Sequence, residues 1–176
     1  MRLHHLGIVA AALALLTAAP ATAQFGVAGG PTFPNGDLSD ITETGWHIQG
    51  VLGFTPAMLP VGLRLDAGYQ KLAFESDVPA DFEELFGTLN AVLALSVPGL
   101  APYIHAGVGL YGDRLDPEDT GSADWETNFG LNGAIGLLLP ISRWNTFVEA
   151  RLHHVFSDGD LGFNVQTVPI TFGITF

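Results

Sequence analysis

Apolar and polar residues alternate with a period of two along most of this chain, which is the repeat of a strand and not of a helix. The clearest case is Val61 to Lys71, with Val61, Leu63, Leu65, Ala67 and Tyr69 on one face and Arg64, Asp66, Gly68 and Gln70 on the other. Seven further segments follow the same rule: Phe25 to Phe33 (rich in glycine), Trp46 to Phe54, Phe86 to Val97, Pro102 to Gly112, Glu126 to Leu139, Thr146 to Phe156 and Val165 to Phe176. The last sets Val168, Ile170, Phe172, Ile174 and Phe176 against Thr167, Thr171, Gly173 and Thr175. Eight strands are therefore predicted.

The connections between them alternate in length. Those near Thr55 to Pro60, Val97 to Ala101 and Pro140 to Asn145 are short and free of acid, whereas Pro34 to Gly45, Leu72 to Glu84, Asp113 to Trp125 and Ser157 to Asn164 are long and carry most of the 18 acidic residues. Short turns at one end and long polar loops at the other are the layout of an all-β, eight-stranded antiparallel up-and-down transmembrane β-barrel, with the long loops outside the cell. Between Leu85 and Gly112 there is no formal charge at all, but Pro98, Gly99 and Pro102 interrupt the stretch and argue against a membrane helix.

A soluble eight-stranded barrel is separated from a membrane one by the chemistry of the two faces. The polar face is mostly Gly, Ser, Thr, Asn and Gln, too poor in charge for a water-facing surface, which usually has about a quarter to a third of its residues charged. Turned inward, these small side chains fit a narrow bore, and Arg64, Asp66, Glu149 and Arg151 can pair there as a lumen ion-pair network. The Leu, Ile, Val and Phe face then meets lipid. Trp46, Tyr69 and Trp125 near the long loops, with Phe54 and Trp144 near the short turns, are placed to form two aromatic girdles.

The first residues have the form of a secretory signal peptide: Arg2, an apolar run from Leu6 to Leu16, and Ala21-Thr22-Ala23 as a small-x-small cleavage site. Residues 1–23 are read as the signal and 24–176 as one barrel domain, exported to the outer membrane of a Gram-negative-type envelope. The apolar run is shorter than the about 20 residues of a spanning helix. There is no cysteine, so an exported chain of this size needs a closed hydrogen-bond network or a large core in place of disulfides.

Pro102-Tyr103-Ile104-His105-Ala106-Gly107-Val108-Gly109, Phe147-Val148-Glu149-Ala150-Arg151 and the closing strand that ends in Phe176 resemble the small outer-membrane β-barrel proteins related to the transmembrane domain of outer-membrane protein A. The resemblance covers essentially the whole of 24–176, and its motifs are architectural. It implies that Ile170, Phe172, Ile174 and Phe176 form a signal read by the barrel-assembly machinery. The larger members' periplasmic peptidoglycan-binding domain has no counterpart before the chain ends at Phe176.

Three chemical motifs are outweighed by plainer accounts. Gly107-Val108-Gly109-Leu110-Tyr111-Gly112 matches the dinucleotide-binding glycine pattern, but no helix follows, and glycines in a strand make room in a narrow bore. His154 and Ser157 resemble the histidine and serine of lipid A deacylase barrels, yet their spacing puts the two side chains on opposite faces, and adjacent His153 and His154 point apart and cannot chelate one metal. The acidic loops, among them Asp113 to Asp119 and Asp158-Gly159-Asp160, lack a full calcium-loop pattern, and with a net charge of −12 they disfavour nucleic acid. The expectation is a non-enzymatic, porin-like barrel with a structural or cell-surface interaction role and no catalytic residue, metal or cofactor. A narrow channel for small or hydrophobic solutes is the alternative, and a lipid-modifying enzyme the third reading. The expected partners are outer-membrane lipid, lipopolysaccharide and the assembly machinery, with the barrel itself a monomer.

Overall fold

A computed structural model describes residues 21–56, 61–74, 80–95, 100–117, 124–141, 144–157 and 163–176. Eight strands are present in chain order: β1 (Ala21–Asn35), β2 (Gly45–Pro56), β3 (Gly62–Ala73), β4 (Ala80–Ala94), β5 (Ala101–Pro117), β6 (Glu126–Ile141), β7 (Trp144–Phe156) and β8 (Val165–Thr175). Each pairs antiparallel with its neighbour, and β8 returns to β1 to close an up-and-down barrel. Closure leaves no sheet edge, which is the condition for burying strands in hydrocarbon, where an unpaired peptide group costs several kcal/mol. At the seam, Phe25 and Phe176 exchange both backbone hydrogen bonds at 3.1 and 2.8 Å, and their rings meet edge to face at 5.5 Å.

The exterior is apolar, as alternation requires of a lipid-facing wall: Ile135 is 66% exposed, and Ile48, Leu110 and Phe172 stand out from the wall in the same way. Trp46 and Tyr69 pack at 5.6 Å near the long-connection end, where Trp125 is also exposed. The Trp144 side chain, the Asp158-Gly159-Asp160 run and most of the signal segment lie outside the described residues. β1 starts at Ala21, so its first three residues overlap the expected cleavage site.

Two expectations need correction. The stretch from Leu72 to Glu84 is not one long loop, because β4 begins at Ala80, and β5 runs on to Pro117, so Asp81, Glu83, Glu84, Asp113 and Asp116 belong to strands. Cross-strand ion pairs carry the ladder past the lipid band: Lys71 Nζ lies 2.7 Å from Asp81 and 3.5 Å from Glu83, and Arg114 Nε donates to Glu83 at 2.7 Å. The inward face is also less uniformly small and polar than its alternation implied. Phe82, Phe86, Tyr103, Tyr111 and Phe147 all turn into the bore.

Glycine makes room for them. Phe86 pairs across the ladder with Gly68, Tyr103 with Gly136 and Phe147 with Gly173, and in each pair a methyl added to the glycine would fall on the aromatic ring. Each ring lies flat over a neighbour without a side chain, which fills the bore without widening it.

Gly136→Val and Gly173→Val are therefore expected to lower unfolding stability in urea by about 1–3 kcal/mol each through overpacking. Gly87→Ala, on the outer face where a new methyl meets nothing within 4 Å, should leave it unchanged.

Candidate functional site

Arg64, Asp66, Glu149 and Arg151 stand at inward positions on β3 and β7, strands that are not adjacent, and their side chains meet across the bore. Arg64 Nε donates to Asp66 Oδ1 at 2.7 Å and its Nη1 donates to Glu149 Oε2 at 2.7 Å. Arg151 answers from the other wall, with Nη2 donating to Asp66 Oδ2 at 3.0 Å and to Glu149 Oε1 at 2.8 Å. Two cations and two anions thus form a closed square in which each guanidinium spans both carboxylates. Three further groups complete it: Asn90 Nδ2 donates to Asp66 at 2.8 Å, Tyr103 Oη donates to Glu149 at 2.8 Å, and His105 Nε2 lies 3.0 Å from the same carboxylate. The square excludes net charge from a buried layer, and removing one member would strand its partners.

Apolar layers flank it on both sides. Toward the short connections, Val51, Val92, Tyr103 and Phe147 cluster with Ala28 and line a cavity of about 270 Å³ that reaches Arg64, whose Cζ sits 5.2 Å from the Phe147 ring centroid. Toward the long connections, Leu72, Phe82, Phe86, Tyr111, Val155 and Val165 form a layer with the fully buried Leu38 from outside the strands, and Ile41, Phe74 and Phe163 pack against it. Leu38 belongs to a 3-10 turn over Gly36–Asp40, entered through Gly36 at φ +61° and held by Thr42 Oγ1 donating to the Leu38 carbonyl at 2.8 Å. Among the described residues, side chains cross the bore at the square and toward the long connections, and the short-connection end holds that cavity.

His47 stands on the inward face of β2 and is buried. It proves to bridge the weakest part of the wall. The β1–β8 ladder skips Gly30 and Pro31, and the β7–β8 ladder skips Arg151 and Leu152, both opposite the neighbourhood of Pro169, which has no N–H to give. From β2, His47 Nδ1 lies 3.0 Å from Thr32 Oγ1 on β1 and Nε2 lies 3.0 Å from Thr171 Oγ1 on β8. One ring nitrogen donates and the other accepts, so both hydroxyls are satisfied by one neutral imidazole.

His153 turns inward, with Nδ1 2.7 Å from Tyr111 Oη, while His154 turns outward and packs on the Phe156 ring at 4.8 Å. The strand therefore separates the two histidines. Ile170, Phe172, Ile174 and Phe176 share the outer face of β8, Phe172 and Phe176 being the most exposed.

No protein-family model matches the chain, and no curated protein matches its sequence. Solved structures do match its fold. The crystal structure of Neisserial surface protein A superposes with a TM-score of 0.68 at 14% identity, covering 88% of this chain and 97% of that one. The N-terminal β-barrel domain of Pseudomonas aeruginosa OprF gives 0.54 at 17%, covering 88% and 97%, and the outer-membrane protein OprG from the same organism gives 0.52 at 15%, covering 90% and 98%. The chain has the fold of the small eight-stranded outer-membrane β-barrels.

Glu149→Ala and Asp66→Ala each leave two buried guanidinium groups to share one carboxylate, an uncancelled positive charge, so a loss of about 3–5 kcal/mol is expected in urea unfolding of the folded barrel. Replacing Arg64, Asp66, Glu149 and Arg151 together by Met and Leu should cost far less than the sum of the single changes, since no unpaired charge then remains.

Proposed function

We propose that this protein is a non-enzymatic integral outer-membrane barrel with a closed lumen, acting at the cell surface through its long-connection end. The side chains that cross the bore carry the reading: a balanced four-charge square capped by an apolar layer toward the long connections supports a rigid post and not a conduit. The fold shared with outer-membrane barrels supports the location, and the acid-rich long connections supply the surface that would face outward. A strongly acidic surface suits partners that are cationic or that reach it through divalent cations, such as lipopolysaccharide phosphates. The N-terminal apolar run would serve export, and the outward aromatic face of β8 ending in Phe176 would be read during assembly. A single closed barrel needs no partner subunit to cover an edge.

Reconstituted into a planar bilayer, the protein is expected to be electrically silent, whereas steady single-channel conductance that changes in Arg64→Ala would favour the solute-channel alternative. Trimming the Ser157 to Asn164 connection should abolish binding to lipopolysaccharide-coated surfaces while heat-modifiable gel migration persists; binding that survives the trimming points away from that loop. Deleting Phe176 should reduce insertion in cells, read by protease accessibility, more than it lowers the stability of refolded barrel.

A further inference from the structure

Above the charge square, the lumen holds a second set of acids that no base serves. Glu84 on β4 and Asp113 on β5 are directly opposed in the ladder, and both turn inward. Glu84 is fully buried and Asp113 is 6% exposed. Gln70 Nε2 donates to Glu84 Oε1 at 2.7 Å and Asn128 Nδ2 to Asp113 Oδ2 at 3.0 Å, while the second oxygens, Glu84 Oε2 and Asp113 Oδ1, are buried and meet no donor among the described residues.

Two carboxylates cannot hydrogen-bond each other, and like charges directly opposed across a ladder repel. Among the described residues no Lys or Arg is ion-paired with either acid. Lys71 and Arg114 are the cations next in sequence to Gln70 and Asp113, but they face outward and are paired with Asp81 and Glu83. Arg151 is bound to Asp66 and Glu149. The remaining titratable groups around the pair are Tyr111 on β5, Glu126 opposite Asp113 on β6, and His153 on β7, hydrogen-bonded to Tyr111. Glu126 adds negative charge at the outer side.

We propose that Glu84 and Asp113 share a single proton, and that this acid pair latches the long-connection end of the lumen shut. With the proton in place the pair carries one negative charge and one strong hydrogen bond between β4 and β5. When it leaves, two buried charges face each other beneath the layer formed by Leu38, Leu72 and Phe82, and relief comes by parting the outer ends of β4 and β5 and admitting water. The latch is therefore closed at lower pH and opens as pH rises. Charged residues on the outer face at the same level, Lys71, Glu83 and Arg114, place the pair beyond the hydrocarbon, where proton exchange with the medium is open to it.

The test is amide hydrogen exchange of the full barrel in lipid nanodiscs, resolved by mass spectrometry for residues 80–86 and 111–117 and corrected for the intrinsic pH dependence of exchange. Protection in these two segments should fall by about tenfold per pH unit once the proton is released, while the Arg64 and Glu149 segments stay protected. Glu84→Gln retains the hydrogen bond without the charge and should keep its protection into alkaline pH; Asp113→Asn serves the same purpose if the first variant fails to show heat-modifiable migration. Equal loss of protection in wild type and a folded variant, or no pH dependence in wild type, overturns the proposal. So does restoration of wild-type protection at alkaline pH by calcium ions alone, since the pair would then hold a metal and not a proton.

Discussion

The meeting of β8 with β1 is the constraint from which the rest of the structure follows. In hydrocarbon there is no water to satisfy a strand edge, so the eight strands are stable there only as a closed set. Closure at eight strands fixes a narrow bore, and the bore dictates what can face inward: glycine beside each large ring, amides and hydroxyls in mutual contact, and charge only where it cancels. The seam is itself the least regular part of the wall. Pro31 and Pro169 remove donors near the middle of β1 and β8, and His47 reaches from β2 to hydrogen-bond both strands from inside. The terminal pairing of Phe25 with Phe176 secures the end of the same seam.

The position of charge divides the molecule along its axis. In the membrane-level bore, Arg64, Asp66, Glu149 and Arg151 neutralise one another, with Asn90 and Tyr103 donating to the two carboxylates and the Phe147 ring beside Arg64. Toward the long connections the balance is abandoned, and acids gather on the inner and outer faces of β4 and β5. The outer-face acids find Lys71 and Arg114. Glu84 and Asp113 find only amides. A buried charge that is not cancelled in this way invites titration, which is why the proposed latch sits at this level and not in the square below.

Strand number, order and the lipid-facing side were legible in the sequence because a period of two survives wherever one wall face is apolar. The charge square was legible for a related reason. Arg64 with Asp66 and Glu149 with Arg151 are each two residues apart, so each pair shares the inward face of its strand, and an eight-stranded bore is too narrow to keep the pairs separate. Strand length was not legible beyond the lipid, where Asp81, Glu83 and Asp113 have loop-like composition and only cross-strand pairing reveals the ladder. Nor were the apolar layers. At Leu85-Phe86 and Ala91-Val92-Leu93, inward and outward positions are both hydrophobic, so alternation cannot tell ring from wall. Leu38 and His47 act through partners far away in sequence, which no local pattern encodes.

The turn that carries Leu38 has a consequence for how the surface can change over evolutionary time. Because Gly36–Asp40 is pinned into the mouth of the bore, the first long connection belongs to the structural frame, and insertions that lift Leu38 would uncover Leu72 and Phe82 beneath it. Phe74 and Phe163, from the second and fourth long connections, pack against the same layer, so a binding specificity that diversifies would have to do so away from these anchors.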